Sequence, residues 1–316
     1  MNNPSEQIVI TLPDSMRGQR LDKVLPELVE GYSRSELQRW LKSGHVLMDG
    51  AVQAQKYKIL GGETLVVQVP DPELSEWLAE DIALEIVHSD DEFFVINKPA
   101  GLVVHPGAGN SSGTLMNGLI YIDERLRMLP RAGIVHRLDK DTTGLMVVAR
   151  TERARQSFIE QLQDRTMSRQ YLALVQGVLI AGETIDQPIA RHRQDRLRMT
   201  VTSSGKEAIT HIRIEKKFDR HTLVRAFLQT GRTHQIRVHM QWKGYPLVGD
   251  SVYGGRAKIP AGANENVIQC LRSFPRQALH ATRLSFSHPK TGEDVSFESG
   301  LPEDMNLLLN TLQDND

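Results

Sequence analysis

The chain has 316 residues, 40% of them hydrophobic, with a formal net charge of −1 and one cysteine, Cys270. That length allows two domains or one large core with an appendage, and the apolar content allows a core of useful size. A lone thiol excludes an internal disulfide, the polar start Met1–Gln7 lacks a signal peptide's apolar stretch, and no apolar run reaches the roughly 18 residues of a membrane span, so a cytoplasmic protein without a membrane is expected.

Residues 18–70 read as a small module. Leu21, Val24, Leu25 and Leu28 fall on one face of a helix, which Pro26 should kink or shorten. A second helix is expected from a Ser33–Glu36 capping box, with Leu37, Trp40 and Leu41 as its apolar face, Gly44 as its stop, and Arg34, Arg39 and Lys42 off that face. His45–Met48 reads as a strand, Asp49-Gly50 as a hairpin turn and Glu63–Val69 as a closing strand. Residues 1–70 hold eight basic and eight acidic side chains. Two helices with basic exposed positions before a small β unit resemble the RNA-binding domain of small-subunit ribosomal protein four. The resemblance implies that Arg34, Arg39 and Lys42 contact phosphates; a helical cap with solvated charges is the plainer alternative.

Residues 71–94 carry nine acidic side chains and no Lys or Arg, and Pro70 and Pro72 open them, so residues 76–90 are expected to be an acidic linker between residues 1–75 and 91–316. Residues 95–316 hold 30 basic against 22 acidic side chains. A basic core masked by an acidic stretch suits a polyanion, although an ordinarily charged protein with an acidic linker would look the same. Strand-like runs recur at Phe93–Ile96, Leu102–Val104, Leu145–Ala149, Tyr171–Val175, Ile209–Ile214, Thr222–Leu228 and Ala281–Phe286, with helices near 114–121 and 152–165. Their irregular alternation predicts an α+β fold: a mixed, largely antiparallel catalytic sheet with flanking helices, preceded by a small α/β RNA-binding domain.

Three segments carry candidate chemistry. Asn97-Lys98-Pro99 follows a strand and leads to Gly107-Ala108-Gly109, a hint of a phosphate cradle without the spacing of a dinucleotide site. The segment from His136 through Arg137, Leu138, Asp139, Lys140 and Asp141 to Gly144 is a turn entering an apolar strand, so Asp139 can be held rigidly and still reach a cleft. Asp139 and Asp141 could serve acid–base chemistry, a metal or a glycosidase-like pair, or be a solvated turn. Thr230–His239 could be a helix capped by Thr233 or a strand, since Ile236, Val238, Met240 and Trp242 also alternate. His234 and His239 are five apart, on opposite strand faces and well separated around a helix, so zinc is rejected. Arg232 and Arg237 fit a polyanion or a buried carboxylate.

In this order, N-K-P at 97–99, H-R-L-D at 136–139, R-Q-Y at 169–171 and G-R-T-H-Q-I-R-V-H at 231–239 resemble the pseudouridine synthases of large-subunit (23S) ribosomal RNA, across essentially the whole chain. Gln170 is a departure, standing where the family often has Glu. The resemblance implies an isomerase without cofactor or metal, acting as a monomer on large-subunit ribosomal RNA or the pre-ribosomal large subunit. It assigns Asp139 as the catalytic aspartate, attacking the ribose or taking a ribose proton, and Arg237 as its ionic partner. Tyr171 would stack on the target base and help remove its C5 proton, Arg137 would fill the space a flipped nucleotide leaves, and Ile236 would pack against the pocket. Rival readings are a synthase acting on other structured RNA such as tRNA, a non-enzymatic RNA-binding protein, and a glycosylase that liberates uracil. A phosphotransferase suggested by Asp139-Lys140 and the nearby Thr-Gly would need membrane spans.

Overall fold

The computed structural model describes residues 7–29, 32, 34–70, 77–107 and 110–314. The chain forms two compact units, residues 1–76 and 77–316. In the first, β1 (Gln7–Thr11), β2 (Val46–Met48), β3 (Ala51–Val52) and β4 (Thr64–Gln68) make one antiparallel sheet in the order β1-β4-β2-β3. Helices α1 (Leu21–Leu28) and α2 (Arg34–Ser43) bury Leu21, Val24, Leu25, Leu37, Trp40 and Leu41 with Val46, Met48, Leu65 and Val67 of the sheet. Pro26 is inside α1, which ends two residues later. Arg34, Arg39 and Lys42 are exposed on α2. The expected Ser33–Glu36 capping box and part of the Gly107–Gly109 run lie outside the described residues.

The second unit is built on one sheet. Its strands are β5 (Glu85–Ser89), β6 (Phe93–Lys98), β7 (Thr143–Ala149), β8 (Ser168–Gln176), β9 (Glu183–Asp186), β12 (Ile209–Lys217), β13 (His221–Leu228), β14 (Leu279–Ser287) and β15 (Asp294–Glu298), and β10 (Ile189–Arg191) and β11 (Met199–Val201) form a separate hairpin. The order is β5-β6-β7-β14-β8-β13-β12-β9, with β15 on β14, and every pair is antiparallel except β7 with β14. This is the mixed, largely antiparallel α+β sheet that the alternation of elements predicts.

Both faces of the sheet are covered at β6 and β7, which is why these strands read as continuous apolar runs. Phe94, Ile96, Met146 and Val148 meet α3 (Leu115–Ile122), and Tyr171, Ala173, Val224 and Ala226 share that core with α5 (Gln235–Trp242). On the opposite face Phe93, Val95, Leu145 and Val147 pack on Ala154 and Phe158 of α4 (Glu152–Gln163). Leu172 and Leu174 pack there on α6 (Glu265–Ser273) and α7 (Glu303–Gln313).

Three expectations change. The stretch 76–90 is mostly not a linker. Asn117 of α3 donates to the carbonyl of Leu78 at 2.8 Å, the Glu80 carboxylate accepts from the Gly113 N–H at 3.1 Å, and 85–89 is an edge strand. Its acidic side chains ride on a backbone tied to the fold, which composition cannot reveal. Leu102–Val104 form no strand, because Val103 and Val104 lend their carbonyls to the first N–H groups of α3, which an isolated strand would leave unsatisfied. The ambiguous 233–244 segment is the helix α5, with His234 rather than Thr233 at its N-cap, in the left-handed region at φ 57°. Residues 235–240 are all buried, so no amphipathic stripe marks it.

Candidate functional site

Asp139 sits in the loop between His136 and β7. Four neighbours fix this loop. Lys98, fully buried at the end of β6, donates to the carbonyls of Pro99, Leu102 and Lys140 at 2.7, 3.0 and 2.8 Å. Burial depresses its ammonium to about 8, partly opposed by Asp141 and Asp139, so it is still charged at neutral pH. Arg276, gripped by Asp304 through bonds of 2.6 and 2.8 Å, reaches the carbonyl of Asp141. Gln277 bonds Thr142, and His280 bonds Thr143. Just beyond, Gly144 (φ +112°) lies so close to β14 that a Cβ would meet the Ala281 carbonyl oxygen at 2.2 Å, so only glycine permits this pairing.

The facing loop, 229–234, is held by Gln235. Its Oε1 accepts from the Thr230 hydroxyl and the Arg232 N–H, while its Nε2 donates to Ile209 and Thr210. From α5, Arg237 extends to the acidic loop: its Nη1 donates to Asp139 Oδ2 at 3.0 Å. Its Nε and Nη2 form a fork on Asp250, at 2.7 and 2.9 Å. Asp250 has no side-chain exposure, and its Oδ1 also accepts from the N–H groups of Val252 and Tyr253. Burial alone would raise the pKa of Asp250, but the Arg237 fork and these amides outweigh it and hold the carboxyl below the usual range. Arg237 is pushed up: burial opposes its charge, but Asp250 and Asp139 more than compensate.

His234 Nδ1 is 2.9 Å from the Tyr253 hydroxyl, which also accepts from the Met199 N–H, and the ring's Nε2 lies 3.8 Å from Asp139 Oδ1. Burial depresses this imidazole despite the nearby carboxylates. The Tyr253 ring lies 5.1 Å from the Arg237 guanidinium carbon. Tyr171, 5% exposed, is pushed up chiefly by burial and remains a phenol at neutral pH.

Asp139, Arg137, Tyr171, Ile236 and Arg237 line one cleft, together with Leu138, Thr142, Leu228, Arg232, His234, Gln235 and Leu279. Its free volume is about 50 Å³, hardly more than one or two waters. Of the cleft's residues, Arg137 is exposed whereas Tyr171, Ile236 and Arg237 are packed. Arg34, Arg39 and Lys42 belong to the other unit. His239 has both ring nitrogens occupied, by Thr210 and by the Gln187 carbonyl.

Sequence reasoning missed Asp250, Tyr253 and the role of Lys98. Lys98 lay within the N-K-P motif and read as part of a turn. Asp250 sits in a loop without periodicity, and only the unsated donors of Arg237, five against one carboxylate, hinted at a second acid.

A family model described as RNA pseudouridylate synthase matches residues 92–242, and an S4 domain model matches residues 19–65. The chain is 52% identical to the ribosomal large subunit pseudouridine synthase D of Pseudomonas aeruginosa over 302 residues, covering 96% of this chain and 94% of that protein. It is 50% identical to the protein of that name from Xanthomonas campestris, covering 96% and 92%. Among solved structures it resembles human RNA pseudouridylate synthase domain containing 4, with a TM-score of 0.57 and 26% identity, over 72% of this chain and 93% of that one.

Proposed function

Because the chain belongs to the RNA pseudouridylate synthase family, we propose that it isomerises specific uridines of large-subunit ribosomal RNA to pseudouridine, with Asp139 as the catalytic carboxylate. The observation that carries the site assignment is the chain of charges Asp250–Arg237–Asp139, which presents one carboxylate, 16% exposed, at the bottom of a cleft.

The reaction breaks the bond between uracil N1 and ribose C1′, turns the base, and joins C5 to C1′. The proton lost from C5 balances the one gained at N1, so no oxidant or group donor is needed. Attack at C1′ and removal of a ribose proton both require an ionised Asp139, and Arg237 Nη1 donates to its Oδ2 at 3.0 Å. Arg237 cannot drift toward Asp139 and quench it, because Asp250 holds it from behind with two bonds. Tyr171, kept a phenol by burial, offers a flat, rigid surface for the base. Its assignment as acceptor of the C5 proton would need that phenol to ionise first. Arg137, exposed at the mouth, is suited to replace a base drawn out of its stack.

The S4 unit supplies exposed Arg34, Arg39 and Lys42 for phosphate contacts that fix position without reading sequence. We assign the protein to the cytoplasm, acting as a monomer on ribosomal RNA or the pre-ribosomal large subunit. Among the described residues no helix is long and apolar enough to cross a membrane. Mapping pseudouridines in ribosomal RNA from cells with and without the gene tests the reading. Loss of particular large-subunit sites, restored by purified protein, is expected; an unchanged ribosomal map with sites missing from tRNA would redirect the enzyme to another RNA.

A further inference from the structure

The proposed reaction leaves one buried charge without a task. Arg169 lies on β8 two residues before Tyr171, so strand alternation turns both side chains to the same face. It is 7% exposed. Its Nε is wholly buried and meets no acceptor, and among the described residues no carboxylate pairs with its guanidinium. Arg237 and Arg276, equally buried, each hold a carboxylate by two hydrogen bonds. Burying a cation without its counter-charge is costly, and such a cost is retained where a partner arrives later.

The surroundings of Arg169 indicate where that partner would come from. Its Nη1 lies against Gly231, where a Cβ would come within 2.7 Å. Gly231 belongs to the loop that leads to His234, and Arg169 bears electrostatically on His136, at the start of the Asp139 loop, and on Tyr171. The guanidinium thus lies against the 229–234 loop, on the strand that carries Tyr171. Gly231 leaves room for the end of Arg169 where any larger residue would press on it. Uracil's carbonyls are neutral and would leave the charge uncompensated. A phosphate carries the full opposite charge, and its oxygens match the planar fork of an arginine. A nucleotide drawn into the cleft brings its flanking phosphates with it.

We propose that Arg169, behind the 229–234 loop that borders the cleft, is an anion seat, and that it receives a backbone phosphate adjoining the target uridine. The inference rests on the RNA-modifying function proposed for the same cleft. Its test uses the full-length protein and a ribosomal RNA hairpin carrying a uridine that it modifies, made with a neutral methylphosphonate at each linkage around the target in turn. One linkage should stand out, its neutralisation lowering wild-type kcat/KM by about 10–100-fold, as removal of a charge-assisted hydrogen bond does. Arg169→Gln should lose a similar factor on the natural RNA, show a salt slope shallower by about 0.7, and lose nothing more on the neutral linkage. Arg169→Lys, which keeps the charge without the fork, should recover part of the rate.

If no single linkage matters to the wild-type enzyme, the proposal is overturned, whether or not Arg169→Gln folds. It is equally overturned if the loss in Arg169→Gln persists on every neutral linkage and is accompanied by a displaced pH profile, which would make Arg169 an electrostatic support for Tyr171. Failure of the underlying function shows itself separately, as no pseudouridine from wild-type protein with any RNA, and takes the proposal with it.

Discussion

Arg237 gives two hydrogen bonds to Asp250 and one to Asp139, so Asp250 holds it more firmly than Asp139 does. In the proposed reaction this asymmetry would let Asp139 leave the pair while the arginine stays in place. Asp250→Asn removes the charge behind Arg237 and turns an amide toward it. Breaking a fully buried pair costs roughly 3–5 kcal/mol, to be read as a lower urea midpoint. Misplacing Arg237 should lower kcat by about 100-fold with little change in KM. A variant of wild-type stability and rate would mean that the fork is dispensable.

Asp139→Asn keeps the shape of the side chain and loses its charge. Tritium release from C5-labelled uridine in ribosomal RNA should become undetectable while RNA binding stays at the wild-type level or slightly above it, since repulsion with phosphate is removed. Asp141→Asn removes the same charge two residues away and should keep most activity, because the neighbours of that loop hold Asp141 through its carbonyl. Equal losses in the two variants would point to a general field effect and away from catalysis by Asp139. Free uracil among the wild-type products would move the enzyme to glycosylase chemistry.

Residues 1–76 and 77–316 each form their own compact unit. Deleting the first should weaken binding to long ribosomal RNA and flatten its salt dependence, by about 0.7–0.9 in slope for each phosphate that the unit neutralises. Turnover of a saturating short hairpin should survive. An unchanged affinity and slope in a folded truncation would remove RNA binding from the S4 unit.

His105, His136 and His280 are held near 4, 3 and 4, in each case chiefly by burial. All three lie below the ~6.5 of an unfolded histidine. The fold therefore prefers neutral rings: their contribution to stability is complete above about pH 6.5 and is lost as pH falls toward 4, because the unfolded chain takes up protons that the fold refuses. Each ring can cost up to about 1.4 kcal/mol per pH unit across that window. Carboxylates held low, such as Asp123 at about 2, add their loss only nearer pH 4. Urea midpoints measured from pH 7 to 5 should fall steadily, and His280→Gln should flatten the decline. A midpoint that stays level over that range would contradict the assignment.

Much of the fold was legible because burial wrote it into the strands. Phe93–Ile96, Leu145–Ala149 and Thr222–Leu228 are apolar on both faces, and each is a strand. Leu102–Val104 looks the same in sequence, but its carbonyls serve α3 and Lys98, a use that no local pattern records. The hairpin β10–β11 has strands of three residues, too short for any period to show. At the site, the motif residues proved to share a cleft, whereas Asp250 and Tyr253 escaped notice because tertiary hydrogen bonds, and not spacing, define them.

The parallel pair β7–β14 also sets the order in which the sheet can be completed. Thr143 of the Asp139 loop pairs with His280, and β14 is inserted between β7 and β8, so the centre of the sheet closes only after residues 279–287 have been synthesised. Arg276, Gln277 and His280, which steady that loop, arrive at the same late moment. Without β14 and the residues leading into it, β7 and β8 lack the strand that lies between them, and the Asp139 loop lacks three of the four neighbours that hold it. A chain that ends at α5 already holds Asp139, Tyr171 and Arg237 but not the strand that completes the centre of the sheet.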